Sequence, residues 1–375
     1  MSYGHVALFG LIAMACSACS NTTRTPEPNP PASTGVASAR PAAPVSPSAS
    51  ASVEAPDAGA VGALDAEAED ASAKTAIPDD MLGVPGGTFM MGWDGRGAQK
   101  DEYPIHAVTL RPFLLDKTEV TNEAYFKCVE AGVCRKHFTG SSEANHFGKD
   151  EKFRTPKRPI SGVSQSDAAT YCKWVGKRLP TEAEFERASR GSDGRLYPWG
   201  NSLPTHEQSV FASSITEDVG THPKGDGPYG HHDLTGNVWE WSADMYDPYA
   251  YRRPGASQGI PGTCDEIMQT LSELKHANQQ GFTGSNPIPD ECEYVLRGGA
   301  FNYDAYGMRA SNRVHHPGRF RLVMSGMRCA KDWPDGPVDS TPPAGLDAGA
   351  ASPTIVNPAP SAPAAPHKHK RRNKK

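Results

Sequence analysis

Long apolar runs are scarce in this sequence of 375 residues. The apolar stretch at residues 6–15 is too short to cross a bilayer as a helix, which takes about 20 residues. It reads as the core of an export signal. No Lys or Arg precedes it, so only the amino terminus and His5 supply positive charge there. A basic surplus is missing as well: 38 Lys and Arg face 43 Asp and Glu, a net charge of −5. That balance leaves no electrostatic footprint for nucleic acid. Aromatic residues are absent from positions 20–80, where Pro, Ala, Ser, Gly and acids dominate. Such a segment cannot bury enough apolar surface to offset its chain entropy, so a tether is expected, partly extended by its prolines. No Cys-x-x-Cys pair occurs beyond residue 80, which argues against a structural zinc site in the part that folds. Ser-His-Asp and phosphate-loop motifs are missing too.

What is present divides the chain into four. Residues 1–19 read as a signal peptide with a lipoprotein-type cleavage site, each of Cys16 and Cys19 following an alanine. Cys19 is the expected lipidated residue because it leaves the longer apolar segment upstream; Cys16 fits nearly as well. Residues 20–80 are the linker. Residues 81–333 are the folded domain. Residues 334–375 form a second Pro/Ala/Ser-rich tail with a basic end, His367 to Lys375. This organisation predicts an exported lipoprotein of a bacterial cell envelope, held to the membrane by its lipid. The basic end would meet anionic envelope polymers or remain a solvated tail.

Within the domain, residues 88–92 and 106–110 read as strands. Thr121 is placed to cap a helix carrying Tyr125, Phe126, Cys128 and Val129. Ser164 with Asp167, and Thr181 with Glu184, have the spacing of capping boxes opening two more helices. Beyond Arg190 glycine, proline and aromatic residues are frequent and periodicity is poor, so short strands and long ordered loops are expected rather than a doubly wound sheet. Residues 252–293 read as an insertion, either decoration or a lid. Within it, Ile267, Leu271 and Leu274 keep a three-to-four spacing that predicts a helix over 265–280.

The densest stretch is Gly236-Asn237-Val238-Trp239-Glu240-Trp241, preceded by Asp233. Two tryptophans supply rigid buried area around one glutamate. Asp233 and Glu240 are hard oxygen donors suited to calcium; a hairpin with one acid capping a backbone group would use the same residues. The pairs His231-His232 and His315-His316 are read as surface or hydrogen-bonded histidines, since adjacent side chains rarely bind one metal together.

Seven segments in order resemble the formylglycine-generating enzyme, or sulfatase-modifying factor, family. They are Val84-Pro85-Gly86-Gly87-Thr88-Phe89-Met90-Met91-Gly92; Asp116-Lys117-Thr118-Glu119-Val120-Thr121-Asn122; Lys177-Arg178-Leu179-Pro180-Thr181-Glu182-Ala183-Glu184-Phe185-Glu186; Tyr197-Pro198-Trp199-Gly200-Asn201; the Trp-Glu-Trp stretch itself; Leu296-Arg297-Gly298-Gly299-Ala300-Phe301; and Gly326-Met327-Arg328-Cys329-Ala330. The resemblance implies an α+β domain of sulfatase-modifying-factor type, related in architecture to C-type lectins. It implies a structural calcium held by Asp233, the carbonyls of Gly236 and Val238, and Glu240. It also implies a disulfide between Cys172 and Cys329. Six cysteines in an exported domain read as disulfides, and their spacing alone leaves the pairing open. With the first pair taken from the resemblance, Cys128–Cys134 becomes a local loop and Cys264–Cys292 closes the base of the insertion.

Active members of the family oxidise a substrate cysteine to formylglycine with two copper(I)-binding cysteines shortly after the Gly-Gly turn. In this sequence Tyr303 and Met308 stand at those positions. Copper(I) is soft and favours thiolates, so a phenol and one thioether make a poor site for it. The expected function is therefore a non-catalytic module that binds a peptide or glycan in the envelope, in a groove lined by Trp239, Asn302, Tyr303 and Met308. The alternatives are a formylglycine-generating oxidase and another oxidative or metal-assisted modification in the same groove.

Overall fold

The computed structural model describes residues 76–136, 151–259, 262–276 and 289–344, all within one compact unit, Ala68–Lys375. Cys16, Cys19, most of the linker and the basic tail lie outside the described residues, as do parts of the insertion.

Among the described residues ten short strands form three small sheets. Strand β1 (Met81–Val84) pairs antiparallel with β4 (Phe113–Asp116), which pairs on its other side with β9 (Ala330–Asp332). Strand β2 (Gly86–Met91) pairs with β3 (His106–Leu110) and, in parallel, with β10 (Val338–Asp339). The third sheet runs in the order β7 (Val314–His316), β6 (Tyr294–Arg297), β5 (Trp239–Met245), β8 (Ser325–Gly326). Both expected strands are present, each within two residues of its predicted limits.

The helices begin where their caps place them. Thr121 accepts a hydrogen bond from the Ala124 N–H and opens α1 (Asn122–Glu130). Ser164 and Asp167 close a complete capping box on α2 (Gln165–Trp174), as do Thr181 and Glu184 on α3 (Glu182–Arg190). These boxes satisfy amide donors that the first helical turn otherwise leaves without partners. Between α3 and β5 no strand occurs among the described residues, and the chain is ordered loop with one 3-10 turn at Pro223–Gly225. The insertion carries α4 (Cys264–His276), whose Ile267, Leu271 and Leu274 are buried. The helix is described as far as His276; the rest of its predicted span, to residue 280, lies outside the described residues.

Trp241 and Trp239 form the centre of the largest core cluster, with Tyr125, Cys172, Leu296, Met327 and Cys329. All three expected disulfides are present: Cys128–Cys134, Cys172–Cys329 and Cys264–Cys292. The second joins α2 to the residue preceding β9. Of the two alternatives for the histidine pairs, surface or hydrogen-bonded, His231 and His315 take the buried one. His231 and His315 are both fully buried. Burial, then the Arg328 charge, holds His231 neutral, its pKa down to about 3. His315 stacks on Tyr246 with ring centroids 3.8 Å apart and places Nδ1 2.5 Å from Glu293.

Candidate functional site

The loop after β6 carries positions 298–312, and buried charge fixes its shape. Arg297 donates to the carbonyls of Ala310 and Asn312, at 3.0 Å each, and also pairs with Glu182 and Glu186 on α3. One guanidinium thus holds the return of the loop to its start. At Gly299 the backbone has φ +79°, and an added Cβ would lie 2.4 Å from Met308 Cε. Only glycine lets the chain turn there over the methionine. Asp304 then caps the 3-10 turn Ala305–Met308 through the Tyr306 N–H, at 2.9 Å.

The segment 209–213 braces the same loop. Ala212 donates to the Tyr303 carbonyl and Ser213 to the Phe301 carbonyl, both at 2.7 Å, while Phe301 donates to Asn237. Gly236, at φ +87°, leaves no room for a Cβ against Ser209 and Val210. Ala212, Asp233 and Asn237 are non-glycine residues in the left-handed region. Such backbone needs surrounding contacts to hold it, and it concentrates at functional sites.

The four residues expected to line the groove come together unequally. Met308 is fully buried, its sulfur 3.7 Å from Ser209 Oγ, which donates its proton to the Thr235 carbonyl at 2.6 Å. Trp239 is buried too, with the half-buried Tyr303 ring standing edge-on to it at 5.2 Å. Asn302 is exposed. What faces solvent is therefore Asn302 and part of Tyr303, with Trp239 and Met308 packed behind. Two further aromatics, Tyr306 and Trp199, also reach solvent nearby, and Tyr197 is buried beneath Trp199. Tyr306 is 63% exposed, and Trp199 is half-buried and stacked on Tyr197 at 5.3 Å. Tyr303, Trp199, Tyr197 and Met308 share one apolar cluster. The sequence signal for Trp199 was present in Tyr-Pro-Trp-Gly-Asn; nothing local marked Tyr306.

None of the six domain cysteines is a free thiol, since all are paired. The side chains at 303 and 308 thus have no thiolate neighbour among the described residues, and this donor set does not fit copper(I).

The expected calcium ligands lie beneath the same loop system. Arg328 binds Glu240 through Nε and Nη2 at 2.7 and 2.8 Å and also donates to the Asp233 carbonyl at 3.1 Å. The Asp233 carboxylate accepts from the Gly220 N–H at 2.6 Å. Burial raises both carboxyls above their usual range. Glu119, quoted from the sequence without a role, belongs to this group. It is buried, and neither carboxylate oxygen has a hydrogen-bond partner on another residue. Burial first, then the charges of Asp233 and Glu240, push it well above the carboxylate range. Orphaned buried carboxylates of this kind fit a cation. Among the described residues no three acid, histidine or cysteine side chains converge closely enough to hold a metal by themselves, so a calcium ion here needs the Gly236 and Val238 carbonyls as well.

The family model for the sulfatase-modifying factor enzyme 1-like domain matches residues 67–333. The chain belongs to the sulfatase-modifying factor family. Among curated relatives, the serine/threonine-protein kinase pkn1 of Chlamydia caviae is 32% identical over 270 residues, covering 67% of this chain and 38% of the kinase. The chain thus spans about two-fifths of that relative's length. The formylglycine-generating enzyme of Streptomyces coelicolor is 35% identical over 231 residues, 48% of this chain and 74% of that one. The solved structure of PvdO from Pseudomonas aeruginosa aligns with a TM-score of 0.52 at 24% identity, over 67% of this chain and 94% of that one. That likeness concerns the fold alone, and with the family match it makes the domain α+β, of sulfatase-modifying-factor type.

Proposed function

We propose that this sulfatase-modifying factor domain is a non-catalytic recognition module of the bacterial cell envelope. The observation that carries the reading is the pairing of all six domain cysteines, with Tyr303 and Met308 at the family's thiol positions. Without a thiolate pair the loop has no soft ligand set for copper. It offers an aromatic and amide surface instead: Tyr303, Tyr306, Trp199 and Asn302. Rigid aromatics beside hydrogen-bonding groups recognise peptides and glycans by stacking and polar contact. Three disulfides support an oxidising, exported location. Lipidation at Cys19 and the long linker would hold the domain away from the membrane. A calcium ion on Asp233, Glu240 and the carbonyls of Gly236 and Val238 would brace the loops behind the surface, neutralising buried acids that are costly alone.

The test is binding of the purified domain to a glycan array and to an immobilised peptide library. The expected result is saturable binding to one class, lost in Tyr306→Ala with the melting temperature unchanged. Saturable binding to neither, or binding untouched by Tyr306→Ala and Tyr303→Ala, removes the reading. Formylglycine formation stays as the second reading because of the 35% identity to the Streptomyces coelicolor enzyme.

A further inference from the structure

The chain continues past the family match, which ends at residue 333, and lays residues 334–344 over the domain as a strap. The Trp333 ring covers Gly83 of β1 and Gly336, where an added Cβ would lie 2.3 Å and 2.5 Å from ring carbons. Gly86 then donates to the Pro337 carbonyl at 3.0 Å. Strand β10 runs parallel to β2, with Val338 opposite Gly86 and Asp339 opposite Gly87. At Gly87, φ +130°, a Cβ would meet the Asp339 carbonyl oxygen at 2.4 Å. Only glycine admits a second chain so close to this edge. Pro343 is buried, and the Ala344 N–H donates to the Ser192 carbonyl at 3.0 Å.

Arg187 of α3 lies behind the strap. Its side chain is fully buried and donates to the Thr88 carbonyl at 3.0 Å. Asp339 supplies a facing carboxylate, but Oδ2 is 3.5 Å from Nη2, and neither Nε nor Nη2 has a hydrogen-bond partner. A buried guanidinium is best balanced by a carboxylate bound to two nitrogens of its fork. The strap is therefore a loose fit where the charge lies. Its ladder is two residues long, and Val338 is 67% exposed. A strand edge held this lightly is a template for another extended chain.

We propose that this edge of β2, with Arg187 behind it, is a docking slot for an extended peptide of a partner protein. The partner carries an aromatic residue at the register of Trp333 and a glutamate at that of Asp339. The glutamate is one methylene longer and reaches further toward the Arg187 fork. The strap is the resident occupant, displaced when the partner binds.

The experiment is fluorescence polarisation with three labelled synthetic peptides. They are residues 333–344 as they stand, and the same peptide with glutamate or with alanine in place of Asp339. Each is titrated against the full chain and against its Asp339→Lys variant, whose own strap is repelled by Arg187. The variant is expected to bind the aspartate peptide saturably. It should bind the glutamate peptide at least about tenfold more tightly, the gain of one charge-assisted hydrogen bond. The unmodified chain should bind each peptide at least about tenfold more weakly than the variant, because its slot is filled in most molecules. Adding Arg187→Met to the variant should erase the preference among the three peptides. Equal affinity of the variant for the glutamate and alanine peptides would overturn the proposal. So would the absence of saturable binding by a variant that melts cooperatively. A variant that does not melt cooperatively would show the strap to be a fixed part of the fold, and would overturn its exchange.

Discussion

Position 308 carries much of the proposed recognition reading at the scale of one side chain. The methionine packs beneath Gly299 and beside Ser209, in a cluster with Trp93, Leu196 and Tyr197. Its sulfur is part of the core rather than of an accessible site. Met308→Ala should therefore cost about 2–5 kcal/mol, as other buried methionine truncations do. Chemical denaturation would show this as a lower midpoint with an unchanged slope; a neutral outcome would mean that the sulfur faces an open groove. Tyr303 differs in being half-buried against Trp239. Restoring thiols with Tyr303→Cys and Met308→Cys asks whether the frame of the site survives. Copper(I) bound by the double variant and not by the parent is the expected result. These identities were legible in the sequence because Arg-Gly-Gly fixes the alignment a few residues upstream. The fate of the side chains was not legible, since burial of Met308 depends on residues 209 and 299, far apart in the chain.

At the scale of elements, local signals carried well. The caps of α1, α2 and α3 were readable because their partners lie three residues apart, and the buried face of α4 followed from its spacing, while its Thr263–Glu266 cap went unread. Pairing across distance was hidden. Strand β5 joins β6 only after the whole insertion has intervened, and it joins β8 in parallel. The sequence could offer only a hairpin there. Glu119 and Asp244 went unassigned for the same reason. Asp244 lies on β5, and its carboxylate accepts from the Glu182 N–H at 2.6 Å, helping to cap α3. Burial first, then the neighbouring Glu182 charge, push its carboxyl up to about 7; Glu184 adds to this and Arg313 opposes it. His106 and Tyr251 line the same small cavity. The unfolded chain releases this proton near its ordinary value of 3.8. Between that pH and about 7 the folded form holds more protons than the unfolded form, so this group's contribution to stability falls as pH rises through the window. Asp244→Asn removes the slope while keeping a carbonyl acceptor. Its melting temperature should gain on the parent between pH 5 and 8; a constant difference across that range would show that Asp244 does not titrate there.

At the scale of the whole molecule, the disulfides leave none of the six domain cysteines as a free thiol. Cys172–Cys329 closes a separation of 157 residues, and Cys264–Cys292 one of 28. Crosslinks stabilise mainly by restricting the unfolded chain, by about 3 kcal/mol or more for loops of this size. Denatured but unreduced domain should therefore show no reactive thiol among its six cysteines, and peptide mapping should recover the three pairs. A Cys172–Cys264 link would mean that the insertion sits elsewhere. The family was legible from seven ordered segments because they mark turns, caps, packed aromatics and, in Arg328 and Cys329, a buried ion pair and a disulfide. The bound partner was not, because recognition surfaces vary where the scaffold does not depend on them.

The central claim is that the domain recognises without oxidising. Its most direct test is mass spectrometry of a cysteine-containing sulfatase-type peptide after incubation with the unmodified protein, copper(I) and oxygen. The account predicts a peptide that keeps its cysteine mass, with no aldehyde product above the protein-free control. Repeated turnover to the formylglycine mass would contradict it.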